Sequence, residues 1–503
     1  MRTHSPSAPY SALPDALYRA EQVRQLDRYA IEALGIPGIE LMNRAGAAAF
    51  DVLQHHWPAA RRVVVLCGGG NNGGDGYVVA QLAHSANLAV EVYTPPGLAD
   101  PSGDARIARD AWEAEGGRVA TFNSEVLDAP AVVVDGLLGT GLEREVRGGY
   151  AEIIDAVNRS GYSVLALDIP SGLSADTGMP LGVSIQAAAT VTFVGLKQGL
   201  CTGRAVDLVG ELRFSDLAIS AEAYHQLAPA AVRIGESAVN ALLEPRPRSS
   251  HKGDNGHVLV VGGDAGMSGA VRMAAEAAAR VGAGWVSVAT RASHAAWINL
   301  NTPEVMSHSV EEAAALTPLL DRATVVAIGP GLGRSEWANA LLDAVIESGK
   351  PLVVDADGLN LLASKPRRCD RWILTPHPGE AARLLDGSVA EIQSDRFKAV
   401  DALRQKYGGT VILKGAGTLV GLRDGSVSVC TQGNPGMASG GMGDVLTGVI
   451  AGLWAQGLSA DRTAEAGVSI HARAADLAAA EGERGLLATD LMSHLWQLVN
   501  PHS

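Results

Sequence analysis

Two glycine-dense stretches of this chain each carry an aspartate where an aliphatic run gives way to a helical one. The first is Gly68-Gly-Gly-Asn-Asn-Gly-Gly-Asp-Gly76, and the second is Asn434-Pro-Gly-Met-Ala-Ser-Gly-Gly-Met-Gly-Asp444. Backbone amides at the positive end of a helix bind anions. Both stretches are therefore candidate phosphate cradles. Asp444, in the first turn of its predicted helix, is placed to accept a proton from an attacking hydroxyl. Its plainer reading is a helix cap.

The spacing Gly68-x-Gly70-x-x-Gly73 also fits a dinucleotide-binding turn, with Glu91 at about the distance of twenty residues expected of a ribose-binding acid. That makes a dehydrogenase a rival reading. Against it, Glu91 falls inside its predicted strand, and a simple pyrophosphate turn has no need of Asn71, Asn72 and Asp75. Asp135 and Asp168 each close an aliphatic run, and Ser171 follows the second. In open parallel sheets the crevice beyond the strands' carboxyl ends is the usual ligand site. Asn72, Asp135 and Ser171 offer only oxygen ligands, which suits a hard cation such as potassium. Turn capping is the alternative for either aspartate alone.

In the second half no GxxxxGK[ST] run occurs, so no P-loop is expected. Lys414-Gly-Ala-Gly-Thr418 ends a predicted strand and offers a cation, amides and a hydroxyl to a nucleotide phosphate. Lys252 and Lys414 are two of only seven lysines, and both fall in glycine-flanked motifs. Gly329-Pro-Gly-Leu-Gly333 and Thr375-Pro-His-Pro-Gly-Glu380 also follow predicted strands, although His377 on its own reads as an ordinary turn histidine.

The elements that must hold these groups read as α/β throughout. Near-continuous aliphatic runs at 61–67, 90–93, 132–135, 164–168 and 191–194 predict parallel strands covered on both faces. A second series is predicted at 258–261, 286–289, 325–328, 352–355, 372–375, 411–414 and 427–430. The Pro/Arg/Ser stretch at 243–250 reads as an exposed linker, giving domains 1–227 and 228–503. No residue-level repeat relates the halves. Of 503 residues, 47% are hydrophobic and 19% charged, so the chain can bury sizeable cores. A formal charge of −14 gives no excess of positive charge for non-specific nucleic-acid binding. Four dispersed cysteines form no CxxC or zinc pattern. Neither a leader pattern in residues 1–18 nor an apolar run long enough for a membrane span is read. A cytoplasmic protein with no membrane partner is expected.

The first series of motifs, with Asp135-Gly-Leu-Leu-Gly-Thr-Gly141 and Leu167-Asp-Ile-Pro-Ser-Gly-Leu-Ser-Ala-Asp-Thr-Gly178, resembles the NAD(P)H-hydrate epimerases over about residues 24–199. The resemblance implies a Rossmann-like three-layer fold and substrate contacts at Asn71, Asn72, Gly73, Gly74 and Asp75. It adds contacts at Gly139, Thr140, Gly141, Leu142, Glu143, Arg144, Glu145 and Asp168. It implies potassium at Asn72, Asp135 and Ser171, with Asp168 as general acid/base.

The second series, with His251-Lys-Gly-Asp-Asn-Gly-His257 and Arg280-Val-Gly-Ala-Gly284, resembles the ADP/ATP-dependent NAD(P)H-hydrate dehydratases over about residues 234–491. That implies a ribokinase-like three-layer fold and hydrate contacts at Ala283, Gly331, His377 and Asp444. Nucleotide contacts are implied at Lys414, Gly415, Ala416, Gly417, Thr418 and Gly443, with ADP and Mg2+ as the phosphoryl-donor system. Both halves then converge on hydrated NADH and NADPH: one interconverts the R and S hydrates, the other dehydrates S. A homo-oligomer is the expected assembly. The rivals are the dehydrogenase and a vitamin or sugar kinase fused to a non-catalytic binding module.

Overall fold

The computed structural model describes residues 13–500. Residues 1–12, the greater part of the stretch read as lacking a leader pattern, lie outside the described residues. The chain divides into two compact units, Met1–Val232 and Arg233–Ser503.

The first unit contains β1 (Ala16–Leu17), β2 (Arg62–Cys67), β3 (Ala89–Thr94), β4 (Val119–Thr121), β5 (Val132–Gly136), β6 (Val164–Leu167), β7 (Ala189–Phe193), β8 (Glu211–Ser215) and the start of β9 (Ala231–Arg233). Seven strands form one parallel sheet in the order β4-β3-β2-β5-β6-β7-β8. Successive side chains of a strand point to opposite faces, and β2 shows the result. Val63, Val65 and Cys67 enter one apolar core, while Val64 and Leu66 enter the core on the other face. Helices cover both faces, giving the three-layer Rossmann-like architecture. Strands β4 and β8 were not expected from the sequence. They lie at the sheet's edges, where burial demands no aliphatic run, and β8 carries Glu211 and Arg213.

Antiparallel pairing of Leu17 with Ala231 and Ala16 with Val232 carries this unit to Val232 rather than 227. Because β2 sits between β3 and β5, the chain leaves it in both directions, which makes the β2/β5 edge the topological switch point. The Gly68–Gly76 turn and Asp135 both lie there.

The second unit contains β10 (His257–Val261), β11 (Trp285–Thr290), β12 (Met306–Ser309), β13 (Val325–Ile328), β14 (Leu352–Val354), β15 (Trp372–Leu374), β16 (Thr410–Leu413), β17 (Thr418–Gly421) and β18 (Val427–Cys430). Their order is β18-β17-β16-β15-β14-β13-β10-β11-β12, parallel except where β17 and β18 join. The expected linker at 243–250 belongs to this unit. Arg246 Nη2 donates to the Gly282 carbonyl at 2.5 Å and to Gln456 Oε1 at 2.6 Å, so the stretch is docked rather than free.

Helix Met442–Ala455, which starts beside Asp444, packs on helix Ser268–Arg280 through small residues. A Cβ on Gly448 would stand 2.0 Å from the Ala274 carbonyl oxygen, and one on Gly452 2.6 Å from that of Ala278. Only glycine allows this backbone approach. Among the described residues no helix is long and apolar enough to cross a membrane.

Gly448→Ala tests that contact. Helix propensity alone favours alanine by about 1 kcal/mol, whereas forced overpacking costs roughly 1–3 kcal/mol. A net loss of stability, read as a lower urea midpoint, is expected; an unchanged or higher midpoint would contradict the close approach.

Candidate active sites

In the first unit a cavity of about 740 Å³ opens at the β2/β5 edge. Asn71, Asn72, Asp75, Asp168 and the run from Gly139 to Arg144 line it, as expected. Gly73, Gly74 and Glu145 do not. A Cβ on Gly73 would stand 2.1 Å from the Gly68 carbonyl oxygen, and one on Gly74 2.5 Å from the Met42 side chain. These two glycines serve packing of the turn, and Glu145 turns away to pair with Arg147 at 2.6 Å.

Asp135 is fully buried. Its carboxylate accepts from Ser171 Oγ (2.6 Å), Ser171 N (2.8 Å) and Leu137 N (3.3 Å). Burial nevertheless pushes its pKa up to about 6, with those three hydrogen bonds opposing the rise. Ser171 Oγ accepts from Leu138 N at 2.8 Å, and Asn72 Nδ2 donates to the Leu138 carbonyl at 3.0 Å. That leaves Asn72 Oδ1 buried without a partner among the described residues. Buried polar atoms are nearly always satisfied, so an orphan oxygen on this network fits a hard cation. The described residues contain no cluster of three His, Cys, Asp or Glu side chains that suits a transition metal.

Asp168 adopts a left-handed backbone, φ 62°, unusual for a residue other than glycine. The conformation delivers its carboxylate to Lys197, whose side chain is wholly buried and which donates to Asp168 Oδ1. Phe193 N donates to the same oxygen at 3.1 Å. Lys197 Nζ also donates to Thr192 Oγ1 at 3.0 Å and the Phe193 carbonyl at 2.9 Å. Sequence reasoning missed Lys197; the available signal was a scarce lysine inside Gly195-Leu-Lys-Gln-Gly199. Asp75 is buried, and burial first, then Asp168 and Asp27, hold its pKa well above the carboxylate range. Glu91, the acid of the dehydrogenase reading, is consumed by Arg62 (2.7 and 3.1 Å) and by the Tyr93 hydroxyl (2.7 Å).

The second site centres on Asp355, which directly follows β14 and is 1% exposed. Its Oδ1 accepts from Lys414 Nζ and Thr375 Oγ1, both at 2.7 Å, and its Oδ2 from Thr447 Oγ1 at 2.9 Å. Neither Asp355 nor Thr447 was singled out from sequence. Thr447 lies one turn beyond Asp444 and ties the helix start to β14. Burial lowers the Lys414 pKa, but Asp355, Glu380 and Asp444 outweigh it and hold the ammonium above its usual value. A Cβ on Gly443 would lie 3.3 Å from Lys414 Nζ, so glycine keeps this approach open. The Lys414–Thr418 turn is braced from beneath by buried Arg396, which donates to the carbonyls of Leu413 (3.1 Å) and Lys414 (3.3 Å).

Helix Met442–Ala455 begins at Gly441, φ 91°, with no side chain capping its amides. Asp444 stands beside those open amides. Burial pushes its pKa up to about 7, Asp355 adding to the rise and Lys414 opposing it.

His377 caps helix Pro378–Leu384, its Nδ1 accepting from Gly379 N at 2.9 Å. Gly331, φ 57°, packs against Met267 and Ala270. Ala283 is not brought to this site. Its neighbours Val281 and Gly282 lie against Gln456, with Gln456 Nε2 donating to the Val281 carbonyl at 2.9 Å. Gln456 follows the far end of the helix whose first turn holds Asp444, a separation of ~18 Å at 1.5 Å per residue. The alanine beside Gly331 is Ala270, whose Cβ lies 3.2 Å from where a Gly331 Cβ would sit.

Two parallel-sheet units, each bringing an aspartate, a lysine paired with an aspartate and a helix N-terminus to its carboxyl edge, define a two-domain α/β enzyme. Residues 258–497 match the NAD(P)H-hydrate dehydratase family, and residues 38–199 match the YjeF-related protein N-terminus. The bifunctional NAD(P)H-hydrate repair enzyme of Coxiella burnetii is 51% identical, over 96% of this chain and 99% of its own. That of Escherichia coli is 44% identical over 97% and 95%. A solved ribokinase-like superfamily protein from Enterococcus faecalis is 29% identical, with a TM-score of 0.50 over 54% of this chain and 95% of its own. This chain belongs to the bifunctional NAD(P)H-hydrate repair enzyme family.

The general-base role expected of Asp444 requires the ionised carboxylate, so such a role would be lost as pH falls through about 7. Phosphoryl-transfer turnover is expected to fall about tenfold per pH unit on that acid limb, and Asp444→Asn to lose on the order of a hundredfold to ten-thousandfold. A variant with near wild-type turnover would leave Asp444 only a capping role.

Proposed function

We propose that the first unit interconverts the R and S hydrates of NADH and NADPH, and that the second restores the reduced nucleotide from the S hydrate with ADP as phosphoryl donor. The observation that carries this reading is Asp444, a half-buried carboxylate in the first turn of a helix with open amides, close enough to Lys414 and Asp355 to feel both charges. Family membership supports the substrate class.

In the second unit Asp444 takes the proton of the hydrate's hydroxyl as that oxygen attacks the terminal phosphorus of ADP. The bond to AMP breaks, and the amides of Gly443 and Asp444 stabilise the charge on the moving phosphoryl group. Lys414, held by Asp355, supplies a fixed positive charge to the nucleotide phosphates. Phosphate then leaves the ring carbon as the neighbouring carbon gives up a proton, and the double bond reforms. The products are NAD(P)H, AMP and phosphate. Magnesium would be held mainly by the nucleotide phosphates, as is usual for that ion.

In the first unit Asp168, oriented by Lys197, exchanges the hydroxyl proton during inversion. Potassium fits the oxygen set of Asn72, Asp135 and Ser171, where it would supply a positive charge that fixes the substrate-lining turns. A proton on Asp135 competes with the cation, so potassium activation of epimerisation should weaken as pH falls through about 6. Asp135→Ala should abolish that activation, and equal epimerisation with and without potassium in the native enzyme would overturn the cation site.

The central experiment supplies mixed hydrate epimers with and without ADP and follows the absorbance of the reduced ring. Full recovery of the reduced ring, with AMP and free phosphate, is expected only with ADP. A stable phosphorylated product would favour a kinase, and recovery of only the S fraction would deny the epimerase.

A further inference from the structure

The epimerase reading leaves two carboxylates of its cavity, Asp27 and Asp104, without a role, and Asp27 is the one whose neighbours include the Asp168–Lys197 pair. Asp27 lies on helix Ala20–Glu32, and Val23, Asp27 and Ile31 all line the cavity. Residues four apart share one helix face, so the helix turns that face inward. Its start is tied to the loops that carry Asp168 and Lys197. Ala20 N donates to Asp176 Oδ1 at 2.7 Å, and Gln198 Nε2 donates to the Asp176 carbonyl at 2.8 Å. Tyr18 N donates to the Leu196 carbonyl at 2.8 Å, and Gln198 N to that of Tyr18 at 2.9 Å. Asp27 is thereby held in register with the Asp168–Lys197 pair.

The two carboxylates stand in unlike surroundings. Asp168 has a buried ammonium and a backbone amide for its charge. Half-buried Asp27 has no hydrogen bond among the described residues to offset its desolvation, and its pKa is pushed up to about 6 by that desolvation, with Lys197 opposing and Asp168 adding. Asp75, Asp168 and Lys197 face it across the cavity, Tyr224 is nearby, and Arg24 and Arg28 flank it on its own helix. A carboxyl group paired with a cation and a second one without such a pair are suited to divide base and acid roles.

We propose that Asp27 is the second acid–base catalyst of the epimerase half, the proton donor where Asp168 is the acceptor. The inference rests on the epimerase reading of this cavity. The hydroxylated ring carbon also bears the ring nitrogen. Asp168 takes the hydroxyl proton as the C=O bond forms; the C–N bond breaks with its electron pair going to nitrogen, which Asp27 protonates. Rotation presents the other face of the aldehyde. Nitrogen re-adds, its proton returns to Asp27, and the alkoxide regains one from Asp168. No electrons and no net protons are exchanged with solvent.

The test uses the full chain and the R hydrate alone, following appearance of S. Asp27→Asn should lower epimerisation turnover about a hundredfold to ten-thousandfold with KM little changed, and Asp27→Glu should restore part of it. Because the acid must be protonated, native turnover should fall as pH rises above about 6, and Asp27→Asn should lose that limb. Retained R-hydrate binding by Asp27→Asn shows that the unit is folded. Turnover within threefold of native, or an unaltered pH limb, overturns the assignment of Asp27. Failure of the native protein to interconvert R and S instead overturns the epimerase reading itself.

Discussion

Each unit sets a lysine against an aspartate where its parallel strands end, wholly buried at Lys197 and with the side chain 18% exposed at Lys414, and the site around it depends on that pair. A buried ion left without its partner costs roughly 3–5 kcal/mol. Lys197 and Lys414 are therefore tolerable only because Asp168 and Asp355 meet them. The constraint acts in both directions. Asp168 takes a left-handed backbone to reach Lys197, and Asp355 gathers Lys414, Thr375 and Thr447 from three separate elements. What looks like a single ion pair is the point through which strands, turns and a helix start are placed.

Beside each pair stand carboxyl groups whose proton affinity burial raises. Asp444 sits close enough to Lys414 to feel its charge, yet burial dominates and draws its proton affinity toward neutrality. A proton acceptor works best with a pKa near the working pH. In the first unit the same division separates Asp168, which has a cation, from the acids Asp75 and Asp27, which burial makes harder to ionise.

Glycine serves two different purposes around these charges. Gly73, Gly74, Gly448 and Gly452 let backbone or side chains approach where a Cβ would collide. Gly443 keeps space open between the helix amides and Lys414. Sequence spacing cannot separate the two, since both produce glycine runs after a strand. At Gly73 and Gly74, where the resemblance implies substrate contacts, close packing by itself already requires glycine.

The aliphatic runs by themselves determined that both halves are α/β, because strands covered on both faces need a continuous apolar run whatever their neighbours. The glycine turns and their aspartates marked Asn72, Asp135, Asp168, Lys414 and Asp444, since Asp168 and Lys414 directly follow strands, Asp135 lies in the last residues of one, and Asn72 and Asp444 fall in the first turns of helices entered through glycine turns. Only the tertiary structure decided the partners. Lys197 lies 29 residues from Asp168 and Lys414 lies 59 from Asp355, separations with no periodic signature. Asp27 reads as one polar position of an amphipathic helix until that helix is docked. The strands β4 and β8, free of burial on one edge, carried no aliphatic signal. Ala283 shows the limit most plainly: a motif beside a strand can fall at either end of it, and only the direction of the packed helix shows that this one lies at the end away from Asp444.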